Sequence, residues 1–196
     1  MKSVTGLKVA APDEKPWRCA HPGCTLWGVT GDDVLEILAA LRAFDVHVAG
    51  GWGVDALAGE QTRPHDDLDL LHREEHEPGV VAALAALGFT ETLSWRPVRF
   101  VVTDGRGREI DLHPLRFTED GGAEQTSLTP GEPFRYPAGC FVTGTILGTT
   151  VPCLSVEQQL HLHQDYEPRE RDLHDLALLR ALDRKNRWRP ELPWQS

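Results

Sequence analysis

Residues 48–72, VAGGWGVDALAGEQTRPHDDLDLLH, place two glycines at the end of an apolar run, then a short helical segment, then Asp67-Leu68-Asp69. A strand puts residues two apart on one face. With a strand over 66–71, Asp67 and Asp69 point to one side and Leu68 and Leu70 to the other. Gly50 and Gly51 allow close backbone approach, and the helix they begin offers N–H donors to a phosphate. Mg²⁺ favours hard oxygen ligands from one or two carboxylates, completed by phosphate and water. Paired carboxylates beside a glycine-started helix therefore suit Mg²⁺ and a nucleoside triphosphate. Arg63 and His65 share the parity of Asp67 and fall toward the same cleft. Arg63 has two readings, a phosphate contact or an ion pair with an acid such as Asp55, and Trp52 reads more readily as core than as a base-stacking ring.

Outward from this block the chain alternates helices and strands. Val34, Ile37, Leu38 and Leu41 give a helical stripe over about 31–44, and Val46 and Val48 begin a strand that ends at Gly50. The helix from Trp52 to Ala58 stops at Gly59, and another runs from Pro78 to Leu87 before Gly88. Residues 98–103 and 108–113 read as a hairpin. In its second strand Ile110 and Leu112 face one way, and Glu109, Asp111 and His113 the other. This repeats the pattern of the Asp67–Asp69 strand and can bring three carboxylates into one cleft. Short β segments follow over 132–153, then helices over 155–165 and 169–183. The second of these shows an apolar stripe at Leu173, Leu176 and Ala177, with Leu179 at its margin and Arg171 and Asp175 opposite. The expected organisation is α+β: an extension over 1–28, a core of mixed sheet and flanking helices over 29–153, and a helical subdomain with a tail over 154–196.

Gly50-Gly51-Trp52, Asp55, Gly59, Thr62-Arg63, His65, Asp67 and Asp69 together resemble the DNA-polymerase-β-like nucleotidyltransferases. Within them the match is to the antibiotic-modifying branch of aminoglycoside 2''-adenylyltransferases and lincosamide nucleotidyltransferases. The resemblance is dense over 49–70, moderate over 108–115 and loose over 139–183, and it leaves the first thirty residues and 119–135 without a counterpart. It implies transfer of a nucleoside monophosphate, AMP from ATP or another nucleotide, to a hydroxyl of an aminoglycoside or lincosamide. It further implies two Mg²⁺ ions on Asp67, Asp69 and Asp111, with Asp111 as metal ligand, general base or both. Gly50 and Gly51 would cradle the phosphates. Arg171 occupies the place of a basic residue near the triphosphate, although helix surface charge is the competing reading. Many of these nucleotidyltransferases carry serine at the second glycine position; Gly51 offers no such hydroxyl.

Thirty acidic residues against twenty Lys and Arg give a formal net charge of −10 over 196 residues. That balance argues against a general nucleic-acid binder and suits a cationic small molecule, although acidic proteins are common. No run approaches the ~20 apolar residues of a membrane span, and a cytoplasmic location is expected. The Cys19–Cys24 spacing fits a zinc pair, but Cys140 and Cys153 form no second pair of that kind, so reduced thiols are expected. Four other readings compete: a metal-dependent phosphohydrolase built on His65-Asp66, which the strand alternation and glycine turn count against, a glycosyltransferase with a D-x-D metal site, a toxin that nucleotidylates RNA or protein, and a degenerate module that only binds nucleotide. Three intact carboxylates count against the last, because they repel one another unless a cation shares the site. Oligomeric state stays open.

Overall fold

A computed structural model describes residues 28–129, 131–164 and 166–187. The Cys19–Cys24 pair, most of the expected N-terminal extension and the tail beyond 187 lie outside these. Helix α1 (Gly31–Ala40) opens on Thr30, whose hydroxyl accepts the Asp33 N–H while the Asp33 carboxylate accepts the Thr30 N–H. This reciprocal capping box fixes the helix start. Strand β1 (Val46–Ala49) is buried throughout and runs straight into α2 (Gly50–Ala58), so both glycines belong to the first turn of that helix. Gly59 ends it at φ 82°, its N–H donating to the Asp55 carbonyl.

Strand β2 (Leu68–Arg73) leads through a 3₁₀ turn at Glu74–His76 into α3 (Glu77–Ala86). Then come β3 (Thr90–Trp95), β4 (Arg99–Thr103), β5 (Glu109–Phe117), β6 (Ala123–Gln125), β7 (Phe134–Tyr136), β8 (Phe141–Ile146) and β9 (Thr149–Leu154). Helices α4 (Val156–Leu162) and α5 (Glu170–Arg187) follow. The sheet order is β3-β4-β5-β2-β1-β9-β8, with β6 paired to the far end of β5 and β7 to β6. The chain is therefore α+β, a mixed sheet with flanking helices.

Two pairings build the site. β2 runs parallel to β5 with Asp69 opposite Asp111, and β1 runs antiparallel to β2 with Ala49 opposite Asp69. The chain thus leaves β1 beside Asp69 and enters the glycine turn there. Leu68, Leu70, Ile110 and Leu112 face the other way, into a core they share with Val34, Ile37, Val80, Leu84 and Phe100. Their burial anchors both acid-bearing strands, at roughly 1.5–3 kcal/mol for each large apolar side chain.

Three details depart from the sequence expectation. β2 begins at Leu68, so Asp67 stands at the entrance to the strand rather than within it. β3 is an added edge strand. On α5, Leu173 is 55% exposed and Ala177 is also exposed, whereas Asp172, Asp175, Leu176 and Leu179 are buried. The inward face is therefore rotated from the apolar stripe. Buried acids occupy it because each has a basic partner, Arg169 for Asp172 and Arg63 for Asp175.

Candidate active site

At the junction of β1 and α2, Gly50 adopts φ 56°, and a Cβ there would lie 1.9 Å from Asp69 Oδ2. The Asp69 carboxylate therefore rests against the Gly50 backbone, a contact open only to glycine. At Gly51 a Cβ would stand 2.5 Å from both Arg63 Nη2 and His65 Nδ1. The motif spread over twenty residues of sequence thus closes on itself around two α-carbons. No side chain caps α2 at Ala49.

Asp69, Asp111 and His113 each present a ligand-capable atom within 4.8 Å of the others. His113 Nε2 is 3.4 Å from Asp69 Oδ1 and 3.6 Å from Asp111 Oδ1, and Arg99 Nη2 is 3.2 Å from Asp111 Oδ2. Asp111 is 8% exposed, and its Oδ1 is buried without a hydrogen-bond partner. Burial raises the Asp111 carboxyl to about 6; Asp69 and Asp67 add to this, while His113 and Arg99 oppose it. For His113, burial favours the neutral ring, but Asp111 and Asp69 outweigh it and the net direction is upward. Asp67 acts electrostatically on both Asp111 and Arg63 from the strand entrance.

The other expected residues fall around this cluster. His65 is buried, its Nε2 2.5 Å from Asp55 Oδ2, and its ring lies 4.6 Å from that of Trp52, itself only 2% exposed. Thr62 donates to the other Asp55 oxygen. Arg63 makes a two-pronged pair with Asp175 on α5, Nε to Oδ1 at 2.8 Å and Nη2 to Oδ2 at 2.6 Å. Of its two readings, the ion pair is present, with Asp175 as the partner rather than Asp55. Arg171, in the first turn of α5, reaches Asp66 Oδ2 at 3.4 Å. Both basic residues therefore tie α5 to the motif block. Removing one member of a buried pair strands the other charge. Asp175→Ala is accordingly expected to cost about 2 kcal/mol, read as a lower urea midpoint, with a loss of transfer rate as Arg63 leaves Gly51.

Arg99, Gln125 and Tyr136 join the site without a matching expectation from sequence. Arg99 carried a usable signal, since extending the 98–103/108–113 hairpin sets it beside the face of Asp111 and His113. Gln125 and Tyr136 carried none, because β6 and β7 are three residues each and show no period. Cys140 and Cys153 are free, buried thiols, raised by burial to about 11, as expected for reduced structural cysteines.

The family model for aminoglycoside-2''-adenylyltransferase matches residues 33–179, a span that contains the glycine turn, the acidic cluster and the Arg63–Asp175 pair. The chain belongs to that family. It is 30% identical over 133 residues to a lincosamide resistance protein of Staphylococcus haemolyticus, covering 68% of this chain and 82% of that protein. A shorter stretch of 64 residues is 39% identical to a 2''-aminoglycoside nucleotidyltransferase of Klebsiella pneumoniae, covering 31% and 36% of the two chains. The lincomycin-bound lincosamide adenylyltransferase LnuA superposes with a TM-score of 0.72 at 28% identity, covering 79% of this chain and 99% of that one. ANT(2'')-Ia in complex with adenylyl-2''-tobramycin gives 0.59 at 20% identity, a likeness of fold. As a member of this family the chain is a nucleotidyltransferase, and the resemblance drawn from the Gly50–Asp69 block holds. Among the described residues no helix is long and apolar enough to cross a membrane.

Proposed function

We propose that the chain is a Mg²⁺-dependent adenylyltransferase that moves AMP from ATP to a hydroxyl of a lincosamide or aminoglycoside antibiotic, in the cytoplasm where both ATP and Mg²⁺ are plentiful. The observation that carries this reading is the pairing of Asp69 with Asp111 across β2 and β5, against the Gly50 backbone. Carboxylates brought this close repel one another in a buried setting. The unpartnered Asp111 Oδ1 adds a hard oxygen donor with nothing to satisfy it. Both features fit a magnesium site, with Asp67, Asp69 and Asp111 as the residues that would hold one or two ions. Bound Mg²⁺ would neutralise the carboxylates and the triphosphate and stabilise charge on the departing pyrophosphate.

The protein groups take the remaining roles. The first N–H groups of α2 at Gly50 and Gly51 receive phosphate oxygens, as a helix N-terminus can. Arg171 and Arg63 supply positive charge at the edge of the cradle; His65 and Trp52 hold its floor from below, a supporting role rather than direct contact. The acceptor oxygen forms a bond to the α-phosphorus, the bond from that phosphorus to the bridging oxygen of pyrophosphate breaks, and the hydroxyl proton passes to Asp111. Asp111 is suited to that role by its place in the cleft, with Oδ1 buried beside Asp69 and carrying no hydrogen-bond partner. A net charge of −10 favours approach of a cationic antibiotic.

The test is pyrophosphate release with Mg²⁺ and ATP over a panel of lincosamides and aminoglycosides, with the Asp67→Asn/Asp69→Asn double variant as blank. Acceptor-dependent release, with a product heavier by one AMP, is the expected result and names the substrate. Release that persists in the double variant, or silence over the whole panel with nucleotide bound, overturns the reading. Silence would turn the search to RNA or protein acceptors.

A further inference from the structure

Behind the acidic cluster three buried side chains form one hydrogen-bonded chain. Tyr136 Oη donates to Gln125 Oε1 at 2.8 Å, and Gln125 Nε2 donates to the Val98 carbonyl at 3.0 Å and to His113 Nδ1 at 3.2 Å. Gln125 and Tyr136 are each 1% exposed and His113 2%. Burial holds the Tyr136 phenol far above its ordinary pKa, so it keeps its proton and remains a donor. The direction of the Gln125 amide follows from its partners. Reversed, it would set Oε1 3.0 Å from the Val98 carbonyl oxygen, two acceptors facing each other with no proton between them. The NH₂ must therefore face Val98 and His113. His113 Nδ1 then has only a donor before it and must offer its lone pair, which leaves the ring proton on Nε2. That nitrogen is the one lying between Asp69 Oδ1 and Asp111 Oδ1.

We propose that Gln125 is a positioning residue for the transfer reaction, locking His113 as the Nε2–H tautomer so that its N–H is donated to Asp69 Oδ1 while facing Asp111 Oδ1 at 3.6 Å. The proposal rests on the reading of this cluster as the transfer site. A carboxylate turns freely about its Cβ–Cγ bond unless something holds its plane. With the Asp69 plane set before nucleotide arrives, less reorganisation accompanies the reaction. Strands β6 and β7 thus do more than extend the sheet: they carry the far end of this chain. Gln125 touches no reacting atom and acts only through His113.

Gln125→Glu keeps the volume of the side chain but replaces the NH₂ with an acceptor. ¹⁵N NMR of the imidazole nitrogens in the full chain, with His113 assigned by its loss in His113→Asn, reads the tautomer without any acceptor. In the wild type at mildly alkaline pH, Nδ1 is expected to resonate as an unprotonated nitrogen and Nε2 as a protonated one. In Gln125→Glu, Nδ1 is expected to gain the proton, and kcat to fall about 10–100-fold while KM for ATP and acceptor stays within about threefold. Should Gln125→Glu fail to fold, Tyr136→Phe removes only the hydroxyl that orients the amide, with a smaller drop in kcat and mixed tautomers expected.

A protonated Nδ1 in the wild type overturns the proposal. So does a tautomer switch with unchanged kcat, or a variant whose loss lies in KM alone. Wild-type turnover with unchanged kcat in Gln125→Glu removes only the role of Gln125. A wild type silent toward every acceptor removes the proposed function, and the role of Gln125 with it.

Discussion

Asp111→Asn is expected to make the ligand-free protein more stable while cutting the transfer rate about 10³-fold or more. Asp111 is buried against Asp69 with one oxygen unpartnered, and its carboxyl sits at about 6 rather than the ordinary 3.8. A folded-state value above the unfolded one means the folded protein binds this proton more tightly. Stability from this group is thus present below pH ~4 and falls as pH rises to about 6, by roughly 2–3 kcal/mol in all. At neutral pH the ionised carboxylate is a standing cost, offset in part by Arg99 and His113. Asparagine keeps the shape and removes the charge. After allowance for the lost Arg99 contact, a gain of about 1–2 kcal/mol remains, several degrees in thermal midpoint for a chain of this size. The same change takes away the proposed base and one of the oxygens proposed to hold the metal. Thermal melts from pH 4 to 8, paired with the pyrophosphate assay, check both halves. Between pH 4 and 6 the wild type should lose stability that the variant keeps. A destabilised variant, or one that still turns over, would sink the assignment. Added Mg²⁺ should raise the wild-type midpoint more than that of the variant.

That cost explains why some of the site was legible in sequence and some was not. The Gly50–Asp69 block was readable because its chemistry is local: the glycines, Arg63, His65 and the acids lie within twenty residues, and the turn brings them together. Asp111 was readable from alternation, since Ile110 and Leu112 had to face the core and so turned Asp111 and His113 to the opposite face of the sheet, which the structure also buries. β3 was missed because TETLSW is an edge strand, mostly exposed, with no inward apolar row to betray it. The face of α5 was misplaced for the opposite reason. Apolar periodicity presumes that acids face water, yet Asp175 is buried because Arg63, 112 residues earlier, meets it. Gln125 and Tyr136 depend on partners 11 to 27 residues away, on other strands. Polar groups that become buried only through long-range pairing leave no local period, and here they are the ones that support the site.

Gly50→Ala is expected to cost about 10²-fold or more in transfer rate, while Gly59→Ala leaves the rate within a few-fold. The two glycines make a matched pair. Both hold positive φ, 56° at Gly50 and 82° at Gly59, so alanine meets a backbone penalty of about 1–2 kcal/mol at each. They differ in what the new methyl group meets. At Gly59 nothing lies within 4 Å, whereas at Gly50 the Cβ would sit 1.9 Å from Asp69 Oδ2. Either the Asp69 carboxylate rotates away from Asp111 and His113, or the first turn of α2 shifts and carries its N–H groups off the proposed phosphate position. Each route spoils geometry that the reaction needs to within a fraction of an ångström. Comparing melts with turnover for both variants separates the two effects. Similar loss of stability with activity lost only at Gly50 is the expected pattern. Equal activity in both variants would mean that the contact between Asp69 and the glycine turn does not matter to the reaction.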